Sequence, residues 1–333
     1  MCTSISFKTN DHYFGRNLDL EYSYKESVTI TPRNFTFQFR DTTTFQTHYA
    51  IIGVATVADG YPLYYDAANE FALGIAGLNF PGNAVYLPAA EGKDNVAPFE
   101  LIPWILAQCK NVSETRKLLQ KINITDVPFN DSYPLTPLHW MVSDANESIV
   151  IEPTAQGVQV YDNPIGVLTN NPVFPYQMHN LCNYLNITNQ EVTNRFSSKV
   201  NLEPYSRGMG GIGLPGDLSS ASRFVRAAFT KLNSVCDNSE NGSINQFFHI
   251  LDSVAQTRGC CEINNAYEIT LYSSCCNTTK GIYYYKTYDN PQITAVSLHN
   301  EDLNGKELLQ YPLRLNGVIL YEDQDWEKDT GCS

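Results

Sequence analysis

Seven short runs with two-residue alternation or a β-branched composition punctuate this chain: CTSISF at 2–7, SVTITP at 27–32, YAIIGVATV at 49–57, SIVIEP at 148–153, ITLYSS at 269–274, GIYYYKTY at 281–288 and ITAV at 293–296. Alternation sends successive side chains to opposite faces, and β-branched and aromatic residues pack well on a pleated surface, so each run is expected to be a strand. Four segments instead repeat apolar residues at helical spacing: 98–109, 113–122, 221–232 and 243–254. Ser113 and Ser243 are the expected N-caps of two of them, since a hydroxyl there accepts from an unpaired first-turn N–H. Strands arrive in clusters and so do helices, without a βαβ beat. That order favours antiparallel sheets covered by helices, a layered α+β fold, over a doubly wound parallel sheet. The least periodic stretch, about 183–217, reads as an exposed or interacting arm.

Charge narrows the partners. With 22 Lys+Arg against 35 Asp+Glu the chain carries −13. Such a balance argues against a nucleic-acid ligand or an anionic membrane surface, and an anionic substrate would need local cations. No stretch reaches the ~20 apolar residues that cross a bilayer. The opening MCTSISFKTNDHYFG lacks the basic start and apolar run of a secretory signal, so the expected location is cytoplasmic. Nine cysteines, an odd number on a long chain, are expected to be reduced.

Most motif matches have plain readings. Gly208, Gly210 and Gly213 satisfy GxGxxG, but NLEPYSR precedes them where a strand is required and Pro215 comes where the helix should start, so a turn-rich loop is expected. Cys260-Cys261 and Cys275-Cys276 lack zinc-site spacing and read as small buried hydrophobes. His139, beside Trp140, reads as a packed, hydrogen-bonded histidine. No metal or organic cofactor is expected.

Cys2 is different. If the initiator Met is removed, Cys2 carries a thiol and a free α-amine together. The reference pKa values, ~7.7–8.0 for the amine and ~8.5 for the thiol, let the amine accept the thiol proton near neutrality without a histidine. On an expected strand, Cys2, Ser4 and Ser6 share a polar face that could line a cleft, while Thr3, Ile5 and Phe7 pack inward.

Segments further along the chain strengthen the case for Cys2. FGRNLDLEYSY at 14–24, TPRNF at 31–35, GIAGLNFPG at 74–82, PLHWMVSD at 137–144, GVLTNNP at 166–172, GLPGDLSSASRF at 213–224 and KGIYYYKTYDN at 280–290 come in the order and spacing of a known family. Together with MCTSI they closely resemble the choloylglycine hydrolases, the bile salt hydrolases and penicillin V acylases of the N-terminal-nucleophile superfamily. The resemblance spans residues 2 to about 310 and implies one αββα sandwich domain, two antiparallel sheets between helix layers. The remaining tail, 311–333, has no assigned role. The resemblance implies Cys2 as nucleophile, Arg16 beside its thiol, Asp19 beside its α-amine, Asn79 and Asn170 as donors around the developing oxyanion, and Arg223 completing the charged cluster. Asn170 is preferred to Asn171 because it directly succeeds Leu168-Thr169. On their own Arg16 and Asp19 would read as a surface ion pair, worth ~0–1 kcal/mol.

The implied reaction is hydrolysis of the amide joining a bile acid to glycine or taurine, through a Cys2 thioester. Leu18, Tyr65, Phe129 and Tyr133 are implied to face the sterol, and Asn79 is typical of the bile-salt-cleaving members. Penicillin V or another N-acyl amide remains open as the substrate. A binding protein that keeps Met1 and does no chemistry is the rival of another class. The resemblance also implies a homotetramer in which the 183–217 arm embraces a neighbour.

Overall fold

The structure, a computed structural model, describes residues 1–41 and 44–321. Fourteen strands build its two large sheets: β1 (Cys2–Lys8), β2 (His12–Leu20), β3 (Ser27–Thr31), β4 (Ile51–Ala58), β5 (Tyr61–Asn69), β6 (Gly74–Asn79), β7 (Leu138–Ser143), β8 (Ser148–Thr154), β9 (Gly157–Asp162), β10 (Val167–Leu168), β11 (Ile269–Asn277), β12 (Ile282–Thr287), β13 (Asn290–Ser297) and β14 (Leu309–Pro312). The first sheet runs β10-β1-β2-β11-β12-β13 and the second β9-β8-β7-β6-β5-β4-β3-β14, each with antiparallel neighbours. The α-helices are α1 (Leu101–Leu106), α2 (Val112–Leu119), α3 (Phe174–Asn180), α4 (Ser220–Asn233) and α5 (Glu240–Asp252). Helices α4 and α5 cover the first sheet, α1 covers the second, and the sheets face each other through β1, β2, β5 and β6. This is the αββα sandwich, α+β with antiparallel sheets.

Two hydrophobic clusters fill it. One joins the facing sheets to α4 and α5 through Ile5, Phe14, Val54, Met141, Phe224 and Phe247; the other lies under α1 and α2 around Trp104, Ile105 and Trp140. β1 is therefore covered on both faces. Thr3 turns toward α4, where Arg223 bonds its hydroxyl at 2.7 Å, while Ser6 turns toward β8 and Ser148. The expected cleft-lining face is divided: Cys2 lines one cavity, Ser4 is buried, donating to Gly15 O at 3.0 Å, and Ser6 lines a separate pocket with His12 and Lys231. Gly15 is required there because a Cβ would lie 2.1 Å from Ser274 O on the neighbouring strand β11.

Both expected caps are displaced. α2 is capped by Asn111, whose side chain accepts from Glu114 N, and its start is fixed further when Val112 N donates to Asp144 Oδ2 at 2.8 Å. α5 is capped by Ser239, and Ser243 lies inside the helix donating to Ser239 O. Cys275 and Cys276 are buried on opposite faces of β11, but Cys260 is exposed and Cys261 half-buried, in a turn the core does not cover. The described cysteines are free. Gly208 and Gly213 take positive φ in a loop with no strand before it and α4 beginning only at Ser220. His139 is buried, bonded to Glu152 Oε1 at 3.1 Å and Thr169 O at 2.9 Å and stacked on Phe80. Residues 311 and 312, placed in the tail by the sequence, belong to β14 as the edge of the second sheet, and Arg314 O accepts from Thr287 and Asn290. The rest of that tail, from 322, lies outside the described residues.

Candidate active site

The β1–β2 register puts Cys2 opposite Leu18 and Ser4 opposite Arg16. Met1 extends the ladder: its nitrogen donates to Asp19 O at 2.8 Å, and Asp19 N donates to Met1 O at 3.0 Å. Cys2 is only 2% exposed, yet it lines a partly open cavity of about 240 Å³. Arg16 and Asn79 share that lining with Cys2, and Leu18, Tyr65, Phe129 and Tyr133 all contribute to the mainly apolar wall. The Pro-flanked loop of Phe129 and Tyr133 is held by ring contacts to Phe99 and Tyr24 and by Arg40, which donates to Phe129 O at 2.7 Å. Tyr65 is anchored by its hydroxyl, 2.9 Å from Thr56 Oγ1. The wall also includes Leu20, Phe99, Leu135 and Leu138, which the sequence did not single out.

Arg16 and Asp19 are fully buried, so the surface ion pair that they resemble in isolation does not exist. Arg16 Nη1 donates to Tyr65 O at 3.0 Å and Gly77 O at 2.5 Å, while Nη2 has no partner among the described residues. Burial works against its charge, but Cys2, Tyr272, Asp66 and Asp19 hold the guanidinium above its ordinary value. Asp66 is the buried counter-charge, accepting from Tyr272, Tyr283 and Ser274. An acid in the middle of the apolar run PLYYDAA is the signal that could have found it, because a buried carboxylate needs a partner.

Asp19 Oδ1 accepts from Thr270 at 2.6 Å, and Oδ2 is a second buried atom without a hydrogen bond. Burial pushes this carboxyl up to about 6, against the pull of Arg223 and the N-terminal ammonium. Arg223, from α4, is wholly enclosed. Its Nη1 donates to Cys2 O at 2.6 Å and Thr3 Oγ1 at 2.7 Å, its Nη2 to Asn170 Oδ1 at 2.7 Å, its Nε to Leu218 O at 2.9 Å, and it stands 3.9 Å from Asp19 Oδ2.

Asn170 is held through both ends of its side-chain amide. Its Oδ1 accepts from Cys2 N at 2.8 Å and its Nδ2 donates one hydrogen to Asn79 O at 2.8 Å, beside β6. It grips the Cys2 nitrogen and the Asn79 backbone, whereas Asn79 Nδ2 has no partner among the described residues and its residue lines the cavity. Asn171 faces away, donating to Pro81 O at 2.6 Å. The site thus places near Cys2 a cavity-lining guanidinium with a donor free of hydrogen bonds, and a buried carboxylate whose Oδ2 has an ion-pair partner in Arg223 but no hydrogen bond. Among the described residues no three His, Cys, Asp or Glu side chains gather to share a metal ion, and no helix is long and apolar enough to cross a membrane.

Comparison with known proteins agrees with this geometry. Residues 2–311 match the model of the linear amide C–N hydrolases, choloylglycine hydrolase family. A bile salt hydrolase/transferase of Lactiplantibacillus plantarum is 56% identical over 315 residues, covering 94% of this chain and 97% of that protein. A crystal structure of a cysteine-to-alanine variant of the conjugated bile acid hydrolase from Clostridium perfringens superposes with a TM-score of 0.90 at 38% identity, over 97% of this chain and 100% of that one. Penicillin V acylase from Agrobacterium tumefaciens shares the fold, with a TM-score of 0.71 at 17% identity over 93% of this chain and 90% of its own.

Proposed function

The chain belongs to the choloylglycine hydrolase family of linear amide C–N hydrolases, and from that premise we propose that it cleaves glycine- and taurine-conjugated bile acids. The observation that carries this reading is Cys2 in the wall of an apolar cavity that also holds the fully buried cation Arg16. Similarity to bile salt hydrolases along nearly the whole length of those proteins supports the choice of substrate.

The reaction begins with removal of Met1, which frees the α-amine of Cys2. Asn170 Oδ1 already accepts from that nitrogen, and Asp19 Oδ2 is available to receive a further hydrogen from it. The neutral amine takes the thiol proton, and the thiolate attacks the carbonyl carbon of the bound amide. Asn79 Nδ2 donates to the oxygen as it becomes an anion; a preorganised donor of this kind lowers such a barrier by ~3–4 kcal/mol. Arg16 offsets the negative charge of the sulfur before attack. The ammonium returns its proton to the leaving amine, glycine or taurine departs, and water, deprotonated by the same amine, hydrolyses the cholyl thioester. The sterol packs on Leu18, Tyr65, Phe129 and Tyr133.

Purified protein incubated with glycocholate, taurocholate and penicillin V is expected to release glycine and taurine, measured by amine derivatisation. Release of the penicillin V acyl group alone would overturn the assignment. The free thiols suit a reducing compartment, and we place the protein in the cytoplasm. The 183–217 arm presents Leu185, Phe196 and Tyr205 each more than 80% exposed, an apolar load that a monomer seldom carries on one segment. It is assigned to contact with further copies in a homotetramer; light scattering giving the mass of one chain would exclude that.

A further inference from the structure

Glu268 stands immediately before β11, 1% exposed, and takes no part in the cleavage steps. Its Oε1 pairs with the Met1 ammonium, which also donates to Asp19 O, while Oε2 accepts from Cys261 Sγ at 3.8 Å. A buried carboxylate needs a cation or a set of donors, and here the cation is the first nitrogen of the chain. Removing Met1 takes that cation away and moves the free amine one residue along β1, ~3.3 Å. Glu268 is then left without its cation, with the new amine one residue further along the chain.

We propose that Glu268 is a positioning residue for the hydrolysis, a second buried carboxylate that joins Asp19 in holding the α-amine of Cys2 and in setting the pH at which that amine becomes a base. The inference rests on the reading that Met1 is removed and that Cys2 attacks. The charged and titratable groups around the amine are Arg16 and Asp19 from β2, Glu21 just beyond it, Arg223 from α4, and the thiols of Cys2 and Cys261. The two guanidiniums disfavour an ammonium. The carboxylates of Asp19 and Glu268 favour it, and the burial that pushes Asp19 up to about 6 is reinforced by the like charge of Glu268. A negative charge ~4–6 Å away stabilises the ammonium and destabilises the thiolate, so it raises both titrations.

The test uses the mature protein, with loss of Met1 verified by intact mass. Glu268→Gln keeps the shape and removes the charge; Glu268→Asp keeps the charge and draws it back by one methylene. Alkylation of Cys2 by iodoacetamide against pH, read by mass on the N-terminal peptide, needs no bile salt, and kcat/KM for glycocholate against pH reports the same amine in turnover. Both midpoints are expected to fall by about one pH unit in Glu268→Gln, with Glu268→Asp intermediate. Unmoved midpoints in both variants, with or without a lower Tm, would reduce Glu268 to a structural residue and overturn the inference. A shifted alkylation midpoint in a protein that hydrolyses no bile salt would sustain the action on the amine and sink the substrate reading instead.

Discussion

Cys2→Ala is expected to abolish release of glycine and taurine while moving the thermal midpoint by only a few degrees. The reason is the division of labour at that residue. Its backbone carries the structural bonds, N–H to Asn170 Oδ1 and O from Arg223 Nη1, and alanine keeps both. What is lost is one sulfur at the wall of an existing cavity, for which ~1 kcal/mol is a fair cost because the cavity merely grows. A chain of 333 residues converts that into a shift of ~1–2 °C. Turnover, by contrast, has no second nucleophile to fall back on, since the thioester cannot form. Calorimetry beside the amine-release assay checks both halves. Residual turnover in the variant, or a fold that collapses, would show that the sulfur does another job.

Arg223→Met should behave in the opposite way, damaging stability and activity together. The guanidinium makes four hydrogen bonds, to Leu218 O, Cys2 O, Thr3 Oγ1 and Asn170 Oδ1, from a site with no exposure, and stands 3.9 Å from Asp19 Oδ2. Methionine fills much of the space but strands those acceptors and leaves Asp19 without its charge partner. Breaking a buried pair from one side costs ~3–5 kcal/mol, which for a chain of 333 residues is ~4–7 °C in Tm. With Cys2 O and Asn170 released, the strand end that aims the sulfur loosens as well. Arg223→Lys is expected to recover little, because one ammonium cannot serve acceptors spread around a planar fork. A variant with near-native Tm and intact bile-salt hydrolysis would mean that α4 is held to β1 by packing alone.

These two residues also mark how far the sequence can be read. Position 2 is visible by counting, and Arg223 is visible because ASRF recurs in the family pattern. A period of two locates the strand runs, and every one of the seven lies on a strand of the two sheets. Helix ends are less legible. Periodicity locates the apolar face of α2 and α5 but not their first turns, which are set by which groups accept the loose N–H donors: Asn111 and Asp144 for α2, Ser239 for α5. The part played by Asn170 is likewise out of reach, since a primary amide can give or accept, and only the neighbours Cys2 N, Arg223 and Asn79 O decide which end does what.

Local period and motif identity are enough to read from the residues that Cys2 opens a strand and that the chain is α+β with antiparallel sheets. That Arg16 and Asp19 are sealed from water, that Cys260 is not, and that Glu268 meets the N-terminus 267 residues away follows only from how the sheets and helices pack. Burial and charge pairing are properties of what packs against a side chain, and that information lies on other strands.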